Sequence, residues 1–284
     1  MKSKKLKIRV AKHSGFCFGV KRAYDLVCVN SKNCEKLYIL GKLVHNDDVC
    51  GNIRKKGIKE IKSLRDIQEG TVIFTAHGVG PNMYEKANER GLKIIDTTCP
   101  KVVKAQRLAK TYFKKGYQII VFGDKNHKEV RSIKEWAENE AVIAGNFDEV
   151  KELKLDPGRK YCLVSQTTQN AKEFKKSAVY LKNRLKNFIF FNTICDSTEQ
   201  RQKEIRNLAK VNDVVIIVGG RDSANSKMLF EIASKINPKS HFIENAKGLK
   251  PQRLMSAKSV IIGAGASTPE WVIEKVVDKI RKIS

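Results

Sequence analysis

No stretch of this chain approaches the ~18 consecutive apolar residues that a transmembrane helix requires, so no membrane span is expected. The basic N-terminus MKSKKLKIRVAKHSG contains an apolar stretch too short for the core of a signal peptide, and a cytoplasmic location follows. Seven cysteines occur without the compact spacing of a disulfide framework, which fits a reducing compartment. CxxC pairs and HExxH are missing, and these are the usual marks of zinc. A Walker-type phosphate loop is absent too, as are low-complexity segments and long linkers. Acidic residues are few, 30 against 56 Lys and Arg, for a net charge of +26. The basic residues are scattered over every helix-like stretch, with no long tract and no nucleic-acid-binding motif. We read them chiefly as solvated helix faces that also favour an anionic substrate or an acidic protein partner. Nucleic acid is not the expected ligand.

What the chain does contain is alternation. Short apolar runs from LKIRVA to SVIIGAGAS alternate with amphipathic helix-like stretches such as VKAQRLAKTYFKKG and PEWVIEKVVDKIRK. That is the signature of α/β architecture with mostly parallel sheets. At 284 residues, two or three domains are expected.

Three cysteines recur in equivalent places. Cys17 lies in SGFCFGVKRAYD, Cys99 in KIIDTTCPKVV and Cys195 in FIFFNTICDSTEQ, separated by 82 and 96 residues. Each stands at or just before a helix-like segment, and a helix N-terminus favours the thiolate that binds metals. The arrangement predicts three α/β units, and three thiolates able to converge on one metal centre. Cys28, Cys34, Cys50 and Cys162 share no context and read as packing residues or incidental thiols.

Polar residues collect where strands end: His45 and Asn46, His77, His127 and Glu129, Gln166 with Thr167 and Thr168, Ser223 with Asn225, and Ser267. Ligands of open α/β sheets bind at the carboxyl ends of strands. Imidazoles, hydroxyls and amides there suit a phosphate or diphosphate, with amides of helix N-termini adding to them. His13 accompanies Cys17, and His241 stands apart. Glu129, alone among anion-binding donors, reads either as a proton source with a pKa raised by burial or as a first-turn residue favoured by its helix dipole. For the metal, widely spaced thiolates favour an iron–sulfur cubane over a mixed zinc site. Three protein ligands would leave one iron open to substrate, which suits removal of a hydroxyl with or without reduction. An iron–sulfur hydro-lyase, a zinc hydrolase and a nucleic-acid-binding protein remain as alternatives at this stage.

The motifs GFCFGVKRA, LGKLVHN, FTAHGV, DTTCPKV, HKEV, SQTT, NTICDSTEQRQ, SANS and GAGASTP, in this order, resemble those of the LytB family. These are the 4-hydroxy-3-methylbut-2-enyl diphosphate reductases, which act last in the non-mevalonate isoprenoid pathway. The resemblance covers nearly the whole chain. It implies three α/β domains in a trefoil around a central [4Fe–4S] cluster: residues 18–98, residues 99–194, and residues 1–17 with 195–284. It implies Cys17, Cys99 and Cys195 as cluster ligands, with one iron not held by cysteine. His45, His77, His127, Ser223, Asn225 and Ser267 then correspond to diphosphate-binding residues. Thr167 and Glu129 correspond to residues at the substrate hydroxyl, with Glu129 delivering the proton. The implied partner is an acidic electron donor such as ferredoxin or flavodoxin. Two departures stand out. Ala224 replaces a second serine, and HKEVRS replaces HPEVxG, so that a Pro and a Gly are lost.

Overall fold

The computed structural model describes residues 6–283, and its fold follows the apolar pattern closely. The elements begin with β1 (Lys7–Val10), α1 (Phe18–Asn30), β2 (Leu37–Leu40), α2 (Asp47–Lys55) and β3 (Lys59–Ile61). They continue with β4 (Thr71–Phe74), α3 (Pro81–Glu89), β5 (Lys93–Asp96), α4 (Pro100–Lys114), β6 (Gln118–Phe122) and α5 (Lys128–Glu135). Next come β7 (Val142–Ala144), α6 (Phe147–Glu152), β8 (Lys160–Ser165), α7 (Ala171–Arg184) and β9 (Asn187–Phe190). The chain closes with α8 (Asp196–Val211), β10 (Val214–Val218), α9 (Ala224–Ser234), β11 (Ser240–Ile243), β12 (Ser259–Ala264) and α10 (Glu270–Ile283).

Twelve strands form three four-stranded sheets, ordered β1-β12-β10-β11, β5-β4-β2-β3 and β9-β8-β6-β7. All pairings are parallel. Parallel strands covered on both faces need continuous apolar runs rather than alternation. The inner strand β10 (VVIIV) is buried at every position, as is β4. The edge strands β1, β5 and β9 carry charged or polar ends and are largely open. In β10, Val214, Ile216 and Val218 pack toward α10, while Val215 and Ile217 join the core on the α9 side. Fully burying a Val or Ile side chain stabilises by about 1.5–3 kcal/mol, so these inner strands anchor each sheet.

The chain divides into two compact units. One comprises the N-terminal stretch through Lys21, Val44–Asn52 and everything from Asp196 onward, and it holds the β1-β12-β10-β11 sheet. The other comprises Arg22–Leu43 and Ile53–Cys195, and it holds the remaining two sheets. Sequence pattern missed β3, α2, α5 and α6. The β3 segment KEI has too little apolar content to signal a strand, and its register against β2, Tyr38 to Lys59, is what makes it one. Among the described residues, no helix is long and apolar enough to cross a membrane.

Candidate functional site

The three sheets repeat one device at their carboxyl ends. Each cysteine follows an edge strand: Cys17 after β1, Cys99 after β5, Cys195 after β9. The neighbouring strand in each sheet (β12, β4 or β8) leads to Ser267, His77 or Thr167. The backbone N–H of each cysteine donates to a carbonyl in that neighbouring loop: Cys17 to Ala266 (3.1 Å), Cys99 to Ala76 (3.1 Å) and Cys195 to Thr167 (2.9 Å). These three acceptors lie two residues beyond Ala264, Phe74 and Ser165, the last residues of their strands.

A hydroxyl from each cysteine loop bolts to that same last residue. The Thr97 hydroxyl donates to the Phe74 carbonyl (2.6 Å), and the Thr193 hydroxyl donates to the Ser165 carbonyl (2.6 Å). Ser14 Oγ accepts the Ala264 N–H (3.1 Å). The threonines of DTTC and NTIC are thus structural partners of their cysteines. Asp96 of the first motif is occupied as well, accepting from the Thr98 amide (2.8 Å), the Thr98 hydroxyl and the Tyr84 hydroxyl (2.7 Å).

All three cysteines are half-buried. Cys99 is the N-cap of α4, with Pro100 at the first helical position. Cys17 Sγ accepts the Val20 amide at 3.5 Å, and Cys195 directly precedes α8. Helix-start placement is the setting in which a thiolate ligand is stabilised, so the donor set fits a thiolate-bound cluster. Helix α8 also shapes the Cys17 loop from within its own unit. Arg201 Nη2 donates to the Gly15 carbonyl (2.8 Å), and Glu204 accepts the amides of Lys12 (2.6 Å) and His13 (2.8 Å).

In the first unit, Ser223 caps α9. Its Oγ accepts the Ser226 amide (3.3 Å) and the Ser226 hydroxyl (3.0 Å), with Ser267 Oγ at 3.5 Å. A hydroxyl has two acceptor lone pairs and one proton, so Ser223, Ser226 and Ser267 share their protons within one buried hydroxyl cluster. Asn225 is only 4% exposed, and neither end of its side-chain amide has a partner. An orphaned buried amide beside a helix N-terminus fits an anionic ligand that would satisfy it. Ser226, which sequence reading passed over, is fully buried, and a Cβ at Gly219 or Gly265 would overlap its Oγ. A Cβ at Gly220 would likewise overlap the His45 carbonyl, so this glycine lets the His45 backbone lie against the loop that leads to Ser223. Asn46 acts locally: its Oδ1 accepts the Val49 amide (3.1 Å) at the start of α2. Ala224 opens α9 next to the Ser223 cap.

In the second unit, His77 and His127 meet edge to face, with ring centroids 5.5 Å apart. His127 caps α5, and its Nδ1 accepts the Glu129 amide (3.2 Å). A ring nitrogen that accepts is unprotonated, so the ring's proton lies on Nε2. Glu129 is 2% exposed, and burial raises its pKa to about 7, against opposing hydrogen bonds from the Thr167 backbone and side chain. Those bonds run from the Thr167 amide to Oε1 (2.6 Å) and from the Thr167 hydroxyl to Oε2 (2.9 Å). Gln166 organises this loop: its Oε1 accepts the Asp124 amide (3.0 Å) and its Nε2 donates to Thr168 Oγ1 (2.9 Å).

The HKEVRS departures now have a physical reading. Lys128 takes the first position of α5, where proline is favoured because no amide bond is required; a lysine there gives up rigidity but no hydrogen bond. Ser132, in place of glycine, is 2% exposed and fully engaged. Its hydroxyl lies 2.8 Å from the Glu129 carbonyl and 3.4 Å from the His77 carbonyl, and it accepts from Gln106 Nε2 (3.0 Å). One side chain therefore ties the His77 loop, the Glu129 helix and the helix that begins at Cys99. Gln106 carried no recognisable signal in the sequence, and Ser132 was marked only as the residue standing where the family has glycine. Of the remaining cysteines, Cys50 and Cys162 are buried, and desolvation pushes the Cys162 thiol up to about 12. His241 lies within β11, away from the strand ends.

Comparison with known proteins agrees with this construction. The family model described as LytB protein matches residues 8–281. A 4-hydroxy-3-methylbut-2-enyl diphosphate reductase from Alkaliphilus oremlandii is 40% identical over 282 residues, covering 98% of this chain and 100% of that protein. The same enzyme of Clostridioides difficile is 38% identical over 274 residues, covering 96% and 98%. The solved structure of the E-1-hydroxy-2-methyl-but-2-enyl-4-diphosphate reductase from Plasmodium falciparum matches with a TM-score of 0.90 at 30% identity, over 96% of this chain and 87% of that one. A model match across almost the full length, together with relatives aligned over essentially all of both chains, shows that this chain belongs to the LytB family.

Proposed function

We infer that this protein is a 4-hydroxy-3-methylbut-2-enyl diphosphate reductase, an oxidoreductase that performs the last step of the non-mevalonate pathway. The reaction breaks the allylic C–O bond of the substrate. With two electrons and two protons it yields water and either isopentenyl or dimethylallyl diphosphate. One proton leaves with the hydroxyl oxygen, and the other ends on carbon.

The observation that carries the assignment of roles is Glu129. A carboxyl group in a fully buried position, with its pKa raised to about 7 and both oxygens held by Thr167, is partly protonated at neutral pH and more fully so below it. That is the state a general acid needs to protonate a departing hydroxyl, and acids matched to the working pH are the efficient ones. Thr167 orients the carboxyl through its amide and its hydroxyl.

His45, His77, His127, Ser223, Asn225 and Ser267 are the residues assigned to the diphosphate. The unsatisfied amide of Asn225 is a donor suited to phosphoryl oxygens. Cys17, Cys99 and Cys195 are the ligands for a [4Fe–4S] cluster with one iron outside the cysteine set. When bound, the cluster supplies the electrons and a Lewis-acidic iron. Each four-stranded sheet with its helices is one α/β domain, as residues 18–98, 99–194, and 1–17 with 195–284.

The test begins with protein purified without oxygen. Iron, acid-labile sulfide and zinc are quantified and a Mössbauer spectrum recorded, followed by turnover with and without reductant. About four irons with matching sulfide, one iron distinct from the other three, is the expected result. Zinc would sink the cluster assignment. Turnover that proceeds without reductant would make the protein a hydro-lyase instead.

A further inference from the structure

The helix that starts at Cys99 has an unusual charge. Helix α4 carries Lys101, Lys104, Arg107, Lys110 and Lys114, with no acidic residue. Every other α-helix among the described residues carries at least one. Lys101 sits in the first turn, where a cation opposes the positive end of the helix dipole. No Asp or Glu three or four residues away on the same helix relieves the repulsion within it. Local physics therefore gives no reason for this pattern.

The cations are placed around a cavity. A pocket of about 590 Å³ is lined by Arg22, Lys104 and Arg107, and by Thr98 and Pro100, the two residues flanking Cys99. The one carboxylate in its wall, Asp96, is already taken by Tyr84 and Thr98. Arg22 Nη1 donates to the Thr98 carbonyl at 3.4 Å, which fixes a guanidinium one residue from the cysteine. Lys110 is engaged over the Trp136 ring at 4.7 Å. Lys104 and Arg107 are exposed and point no bond at any protein group.

We propose that this pocket and the exposed face of α4 are the docking surface for an acidic one-electron carrier protein, which delivers electrons beside Cys99. The proposal rests on the reductase reading above and gives the electron donor a place on the molecule. Two electrons must enter per turnover, one at a time from such a carrier, each oxidising one reduced carrier. A carboxylate-rich face around the carrier's own redox group would meet Lys104, Arg107 and Arg22 across the rim that holds Thr98 and Pro100. A second copy of this chain is a poor occupant, since each copy carries a net charge of +26. Complementary charge of this kind acts mainly on association rate, and weakly at high salt.

The experiment uses holoenzyme and the double substitution Lys104→Glu with Arg107→Glu. Glu is a good helix former and favours the N-terminal half of a helix, so α4 tolerates both changes. Turnover is measured with a reduced acidic ferredoxin at increasing salt, and separately with chemically reduced methyl viologen, which needs no docking surface. The expected result is a rise of about tenfold or more in the ferredoxin KM at low salt, within the range that electrostatic steering spans. The salt dependence should flatten, with iron content and viologen-driven turnover unchanged. An unaltered ferredoxin KM overturns the docking surface. So does lost RNA affinity in the variant with donor kinetics unmoved, which would assign the patch to a polyanion. Loss of viologen-driven turnover along with the cluster would show that these residues support the fold instead. Absence of reductive turnover by the wild-type enzyme with either donor would overturn the reductase reading itself, and the docking proposal with it.

Discussion

Replacing Glu129 by Gln tests the central chemical claim. The substitution is close to isosteric, and Thr167 can accept it. The Gln carbonyl takes over the Thr167 amide bond, and its NH₂ donates to the Thr167 hydroxyl. What disappears is the titration. Desolvation first, opposed by the two Thr167 bonds, places the folded pKa at about 7, against an ordinary value of 4.5. One pKa unit corresponds to about 1.36 kcal/mol, so the folded state prefers the protonated acid by roughly 3 kcal/mol. Because the folded pKa is raised, that contribution is fully present below about pH 4.5. It is lost as pH rises through about 7, and no further loss follows above that. For catalysis the sign is the same: the general acid is loaded below pH 7 and empties above it. Wild-type kcat/KM should therefore fall on the alkaline side with an apparent pKa near 7. Glu129→Gln should keep the iron spectrum, lose that limb, and turn over about 10²–10⁴-fold more slowly. That loss is about 3–5 kcal/mol in the barrier. The assay is reductant-driven product formation across pH, with denaturant unfolding of both proteins alongside. Wild-type turnover in the variant, or an identical alkaline limb, would refute the proton role.

Further expectations are open to measurement. Cys99→Ser should lose most bound iron or yield an incomplete cluster, and an undisturbed Mössbauer spectrum would remove Cys99 from the ligand set. Asn225→Leu replaces a buried amide that has no partner within the protein. Because an unsatisfied buried polar group costs about 1–3 kcal/mol, thermal stability without substrate should hold or rise while the substrate KM rises about tenfold; an unchanged KM would exclude a binding role. Ser132→Gly, which restores the family's residue, breaks the bond donated to the Glu129 carbonyl and the bond accepted from Gln106, each worth about 0.5–1.5 kcal/mol, and the long contact to the His77 carbonyl. It should lower Tm and reduce kcat more than it raises KM, with Ser132→Thr recovering part of the loss. Equal kcat in all three proteins would reduce Ser132 to a packing residue.

Much of this protein is readable from its residues in order. Continuous apolar runs such as VVIIV identify buried parallel strands because covering both faces leaves no polar positions. The three cysteines and the chemistry collected after each strand were visible for the same reason: parallel strands present their carboxyl ends together. Where periodicity is short or polar, the chain was silent. KEI becomes β3 only through pairing with β2, and KEVRSIKE becomes α5 only by burying Val130 and Ile133 among their neighbours. The sequence could mark Glu129 as a candidate acid but had no means of raising its pKa, because desolvation is the joint work of residues distant along the chain. Nor could it tell that Thr97 and Thr193 serve their strands while the Asn225 amide is left without a protein partner, since a polar group's role depends on which of its bonds the fold has already used. Composition and order determined the architecture and the set of reactive groups. Tertiary structure alone decided which of those groups are spent inside the protein and which are left to act on a ligand.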